Sequence, residues 1–262
     1  MKFLKKFVIN IDYLARIWYN ICIYVSDFDI AIYRKFGDVI MSKGKIIVID
    51  GLDGSGKSTQ LELVAEYLQS RDVKCRAVSF PNYDSLSGAL IKDYLNGKIP
   101  CEDVTGAYTA STLYAIDRYV SYVTDWKEFY NHGGIILCGR YTTSNAIYQL
   151  TKLPPDEQEK FLDWLFDYEY NKLGLPAPDL VLYLDMPIEV SQRLLSERYM
   201  GDEQKKDIHE RNVRFLEACR SNALILAQRC GWNVIECAEG GLPLPIEDIY
   251  IQICSILKVL FL

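Results

Sequence analysis

The stretch KIIVIDGLDGSGKS, residues 45–58, decides the fold. Between Lys45 and Asp50 it is apolar and β-branched, the pattern of a strand buried on both faces. From Gly51 to Ser58 it fits G-x-x-x-x-G-K-[ST]. Residues 58–71 follow, with Leu61, Val64, Ala65 and Leu68 at helical spacing. A glycine-rich loop between a strand and a helix turns its backbone N–H groups around an anion, at the positive end of that helix. Gly51, Leu52, Asp53, Gly54, Ser55, Gly56, Lys57, Ser58 and Thr59 are therefore the expected binding residues for ATP. Lys57 is expected to reach the β- and γ-phosphates, and the Ser58 hydroxyl to ligate Mg²⁺. Asp50, at the end of the strand, is expected to support the metal through water.

Four further apolar runs follow: 75–80 (CRAVSF), 134–138 (GIILC), 179–185 (DLVLYLD) and 232–237 (WNVIEC). Strands alternating with helical stretches predict an α/β, three-layer fold, a five-stranded parallel sheet flanked by helices. The Pro/Gly cluster at 173–178 reads as the loop feeding the fourth strand, and 246–262 as a packed terminal helix. Residues 43–262 show no internal repeat, low-complexity tract or linker, so one domain is expected there. Residues 1–42 differ: Lys2, Lys5 and Lys6 come first, and the uncharged run between Arg16 and Asp27 is only ten residues long. That is too short to span a bilayer. They are read as an N-terminal extension outside the native protein, with translation starting at Met41.

Composition narrows the function. The 262 residues carry 29 Lys+Arg against 35 Asp+Glu, a net charge of −6. That balance argues against a nucleic-acid polymer as partner. Eight cysteines with no C-x-x-C spacing, and two histidines, argue against a zinc site and suit reduced thiols in the cytoplasm. Asn171-Lys172-Leu173-Gly174 lacks the Asp that would read guanine, so a GTPase is discounted. A small kinase remains. Its second substrate needs a binding surface downstream. Tyr114 and Arg118 are four apart and share a helix face, where an aromatic plate and a guanidinium could hold a base. Arg140 follows an apolar strand, at the end where α/β sheets bind ligands, and its fork suits a phosphate monoester.

In order, the stretches 49–60, Phe80-Pro81 with Gly88 and 91–95, Leu113–Arg118, Gly139-Arg140-Tyr141 with Ser144, and 178–185 resemble the thymidylate kinases, a family of nucleoside monophosphate kinases with a P-loop. The resemblance runs from about residue 44 to about residue 224. It implies the P-loop kinase fold with a helical lid at about 197–211, and the reaction ATP + dTMP → ADP + dTDP with Mg²⁺. It also implies a cytoplasmic homodimer that binds no membrane. Tyr114 would stack on the base and Arg118 would read its edge. Phe80 and Tyr148 would line the substrate site, and Arg140 would clamp the substrate phosphate. Asp53 would sit near the 3′-hydroxyl and phosphate. A lid cation would complete catalysis with Lys57, Arg140 and Asp53: Arg198, with Lys205 and Lys206 as alternatives. Two departures stand out. Gly139 replaces the family's carboxylate, for which Asp50 or Asp117 could compensate, and Asn82 and Tyr83 stand where many relatives carry an Arg. These leave room for a kinase of another nucleoside monophosphate or a deoxynucleoside, and for a nucleotide-binding module with weak catalysis. Asp185 ends the fourth strand away from the phosphate loop and is given no metal role.

Overall fold

The computed structural model describes residues 43–100 and 104–261; the expectations for residues 1–42 lie outside that range. Strand β1 (Lys45–Gly51) leads through the phosphate loop into helix α1 (Lys57–Gln69). Then come β2 (Cys75–Ser79), α2 (Leu86–Leu95), α3 (Val104–Ser121) and α4 (Lys127–Asn131), followed by β3 (Ile135–Gly139), α5 (Thr142–Leu150) and α6 (Pro155–Phe166). The chain closes with β4 (Leu180–Asp185), α7 (Ile188–Arg198), α8 (Val213–Cys230), β5 (Asn233–Glu236), the short β6 (Ala238–Glu239) and β7 (Leu242–Pro243), and α9 (Ile246–Phe261).

The first five strands form one sheet in the order β2-β3-β1-β4-β5, with every pair parallel. This is the expected α/β sheet. β1 shows why it has two covered faces. Successive strand side chains point to opposite sides. Ile47 and Ile49 pack with Leu61, Val64 and Leu68 of α1 and with Ile249, Ile253 and Leu257 of α9. Ile46 and Val48 pack on the other side with Trp126, Ile136, Tyr141 and Val181. Each buried aliphatic side chain contributes about 1.5–3 kcal/mol relative to exposure.

Register positions the functional loops. Ile49 lies opposite Gly139, so the phosphate loop and Arg140 leave the sheet side by side. The Arg140 N–H donates to the Ile49 carbonyl at 3.2 Å.

The helical lid is corrected. α7 stops at Arg198, because Met200 and Gly201 adopt left-handed backbone at φ 54° and 78°. The Gly201 N–H closes back onto the Ser196 carbonyl, a helix-ending turn. From there to Val213 the chain is turns and one 3₁₀ turn, Glu203–Lys205. The antiparallel pair β6–β7, joined at Gly240 and Gly241, went unanticipated.

Candidate active site

The phosphate loop wraps the amino end of α1. Gly54 stands at φ 80°, and a Cβ there would lie 2.7 Å from the Ser191 carbonyl oxygen, so only glycine fits. Gly56, the residue before α1, is left-handed too, with open space where its Cβ would be. Asp53, Gly54, Gly56, Lys57, Ser58 and Thr59 line a cavity that also takes in Arg140, Arg198 and Lys205. Gly51, Leu52 and Ser55 lie buried beneath it. The Ser55 hydroxyl is buried and lacks a partner among the described residues.

Charge is concentrated here. Arg140 pairs with Asp53, and Lys57 Nζ lies 3.9 Å from Asp53 while donating to the Leu52 carbonyl at 2.6 Å. Tyr148 donates its hydroxyl to Asp53 at 3.1 Å. Burial alone would push the Asp53 carboxyl up; the Arg140 and Lys57 charges, with hydrogen bonds from Tyr148 and Arg140, hold it well below the usual range. Lys57 is pushed the other way, down to about 7, by burial and then by Arg140, with Arg198 adding to the effect and Asp53 and Asp50 opposing it.

A second cavity adjoins the first. Its walls include Phe80, Tyr83, Tyr114, Arg118, Asn145, Tyr148, Gln149 and His209. Arg140, Asp53 and Phe80 line both cavities. Arg140 has φ 68°, a strained backbone for a residue with a side chain. Its guanidinium reaches the Gly51 carbonyl at 3.3 Å and the Ser144 hydroxyl at 3.2 Å, and lies 5.4 Å from the centre of the Tyr148 ring.

Tyr114 and Arg118 do share one wall, as their spacing predicts. Arg118, however, is already engaged: Nε and Nη2 form a fork on Glu169 at 2.7 and 2.5 Å, with both residues fully buried. Only Nη1 is outside the fork; it reaches the Tyr141 carbonyl at 3.4 Å.

Asp50 is a correction. It lines neither cavity. Its oxygens accept from the Gly51 N–H and from the Thr143 and Ser144 hydroxyls, so it braces α5 and, at 3.7 Å, Arg140. Asp117 cannot replace the carboxylate missing at Gly139 either. It accepts from the Asn82 N–H and from the Ser85 and Ser87 hydroxyls, holding the loop after Phe80. Gly139 has a local cause: a Cβ would lie 2.8 Å from Ser79 Oγ and 3.2 Å from Leu61 Cδ2. Asp185 forms a fork with Arg220 at 2.6 and 2.7 Å. Of the lid cations, Arg198 and Lys205 line the phosphate-loop cavity, whereas Lys206 is buried and donates to Gln192 at 2.9 Å.

Three wall residues escaped sequence reading, Asn145, Gln149 and His209, as did Glu169, which is fully buried and bonded to Asn145. Asn145 and Gln149 are one helical turn apart on α5, a spacing that could have flagged them. The Gln149 Oε1 is buried without a partner among the described residues.

A family model for thymidylate kinase matches residues 49–241. The thymidylate kinase of Plasmodium falciparum is 31% identical over 176 residues, covering 66% of this chain and 78% of that one. That of Mycobacterium tuberculosis is 28% identical over 194 residues, covering 72% and 87%. Among solved structures, thymidylate kinase from Candida albicans superimposes with a TM-score of 0.61 at 22% identity, over 83% of this chain and 92% of that one, a likeness of fold.

Proposed function

The chain belongs to the thymidylate kinase family, and on that premise we propose how its residues carry out the phosphorylation of dTMP to dTDP by ATP. The observation that carries the proposal is Arg140, standing in the common wall of two adjoining cavities beside the phosphate loop. We assign ATP to the phosphate-loop cavity and dTMP to the aromatic one.

The acceptor phosphate is already a nucleophile, so the protein need only align it and neutralise charge. Loop amides and Lys57 would hold the ATP phosphates, and Arg140 would release part of its hold on Asp53 to take the dTMP phosphate. Arg198 would approach from the end of α7. Tyr114 would stack on the base, and the unpartnered Gln149 oxygen offers an acceptor to a ring N–H. Tyr148 and Phe80 would flank the sugar. The site suits a magnesium–nucleotide complex: the Ser58 hydroxyl lies in the cavity, a hard oxygen donor beside phosphate oxygens. When bound, Mg²⁺ would neutralise phosphate charge.

Residues 43–262 are taken as the catalytic domain, working in the cytoplasm where both nucleotides are dissolved. A homodimer is proposed through α3 and the widened helical turn that continues it (Tyr122–Trp126), where Ile116, Tyr119 and Val120 of the helix and Val123 of the turn are each about 40% exposed. Light scattering of the 30.1 kDa chain should read twice that mass; a monomer at micromolar concentration rejects the dimer.

The acceptor assignment is tested by ADP release from Mg-ATP with dTMP, dUMP, UMP, CMP, AMP and thymidine. Preference for dTMP is expected. Preference for another acceptor overturns the base-reading roles of Tyr114 and Gln149, and ATP binding without turnover reduces the chain to a binding module.

A further inference from the structure

The turn formed by residues 207–210 belongs to both cavities. Asp207 lines the two, His209 only the aromatic cavity and Glu210 only the phosphate-loop cavity. The turn is braced internally. Asp207 Oδ1 accepts the N–H groups of His209 and Glu210 at 2.8 Å each, and Glu210 Oε2 accepts the Asp207 N–H at 3.2 Å. Three bonds across four residues tie its two ends together.

Each end grips a different site. His209 is buried, its ring stacked on Phe215 at 5.2 Å and lying 5.7 Å from the rings of Tyr94 and Tyr148. Its Nε2 lies 3.0 Å from the Tyr94 hydroxyl, which accepts from Lys152 at 2.6 Å. Lysine can only donate, so the phenol accepts there, and the imidazole tautomer sets the direction of the Tyr94–His209 bond. Burial, then the Lys152 charge, pushes His209 down to about 3. At the other end, Glu210 accepts the Tyr199 hydroxyl at 3.2 Å and the Gln192 amide on its carbonyl at 3.1 Å. Gln192 is on α7, whose last residue, Arg198, faces the phosphate loop.

We propose that this turn couples the two sites, with His209 as the positioning residue on the dTMP side, so that filling either cavity strengthens binding in the other. The proposal rests on the two-substrate reading above. A displacement of His209 by the acceptor moves Glu210, and with it the α7 end that carries Arg198. Such coupling is reciprocal by thermodynamic necessity.

Titration calorimetry on the full chain tests it, with dTMP added in the presence and absence of Mg²⁺ and β,γ-methylene-ATP. In the unmodified protein dTMP should bind at least about 5-fold tighter with the analogue present. The analogue should gain the same factor from dTMP. His209→Ala and Asp207→Ala should bring the factor to about 1, and Asp207→Asn, which keeps an oxygen for the two N–H groups, should retain it. His209→Phe preserves the stack on Phe215 but loses the Tyr94 bond; should His209→Ala fail to fold, this variant decides, and its factor should fall at least twofold. A factor unchanged in the folded His209 and Asp207→Ala variants overturns the proposal. So does an unmodified protein that binds both nucleotides with no coupling. Failure to bind either nucleotide would instead overturn the two-substrate reading itself.

Discussion

Lys57→Ala is expected to lower kcat by roughly 10²- to 10³-fold, the scale seen when one preorganised group facing transition-state charge is removed. The fold should survive. Lys57 opens α1 and, among the described residues, its Nζ reaches the Leu52 carbonyl and Asp53 and takes no part in the apolar cluster, so the core against α1 is untouched. The effect on catalysis should be large because the remaining cations cannot fill its place: Arg140 is tied to Asp53, Gly51 and Ser144, and Arg198 comes from α7 across the cavity. Steady-state kinetics with a matched melting curve decide the matter, and ordinary turnover in a folded variant removes Lys57 from catalysis.

The same residue gives a second reading of that prediction. In the free protein Lys57 is pushed down to about 7 from 10.5. At pH 8 most copies are then neutral. ATP phosphates favour the charged form and raise the pKa again, so binding should draw in close to one proton. Calorimetry in two buffers of different ionisation heat, at pH 8, measures this uptake. It should vanish in Lys57→Ala, and it should shrink as pH falls toward 6, where Lys57 is already charged before ATP arrives.

What sequence could disclose follows from range. β1, β3 and β4 were legible because each holds an unbroken apolar run, 46–49, 135–138 and 180–184, a signal internal to four or five positions. The phosphate loop was legible because its chemistry demands consecutive residues. Tyr114 and Arg118 were legible because helical geometry links positions four apart. Glu169 was not. It lies in Asp-Tyr-Glu-Tyr-Asn-Lys, which reads as solvated surface, and it is buried only because a widened helical turn over Asp167–Lys172 swings it toward a guanidinium 51 positions earlier. His209 likewise sits in a charged stretch and gains its place from Tyr94, 115 positions away. Asp50 was assigned to metal on the strength of its position alone. What it does is set by the Thr143 and Ser144 hydroxyls, more than 90 residues distant. Local pattern names the element; the partner that decides a polar side chain's role is usually remote.

Glu169→Ala should be the most destabilising of these changes, by about 3–5 kcal/mol, because it leaves a buried guanidinium without its counter-ion. Glu169 accepts from both arms of the Arg118 fork, from the Thr142 hydroxyl at 2.7 Å and, at 3.5 Å, from the Asn145 amide, all of them buried. Asp117, next to Arg118 in sequence, is not free to replace it, being committed to the loop after Phe80. For a domain of this size each kcal/mol corresponds to about 2–4 °C, so the melting midpoint should fall by roughly 6–20 °C. Glu169→Gln should fall less, since an amide oxygen still accepts one arm of the fork. Replacing the pair together, Arg118→Met with Glu169→Leu, should recover most of the loss, because the cost lies in the stranded charge more than in the lost attraction. Recovery of stability should not bring back activity. Arg118 and Asn145 line the proposed dTMP cavity, and without the fork neither is held in place, so KM for dTMP should stay raised while ATP binding is little changed. A double variant that is stable and binds dTMP as tightly as the parent would show that the buried pair serves folding alone and that Arg118 has no part in reading the base.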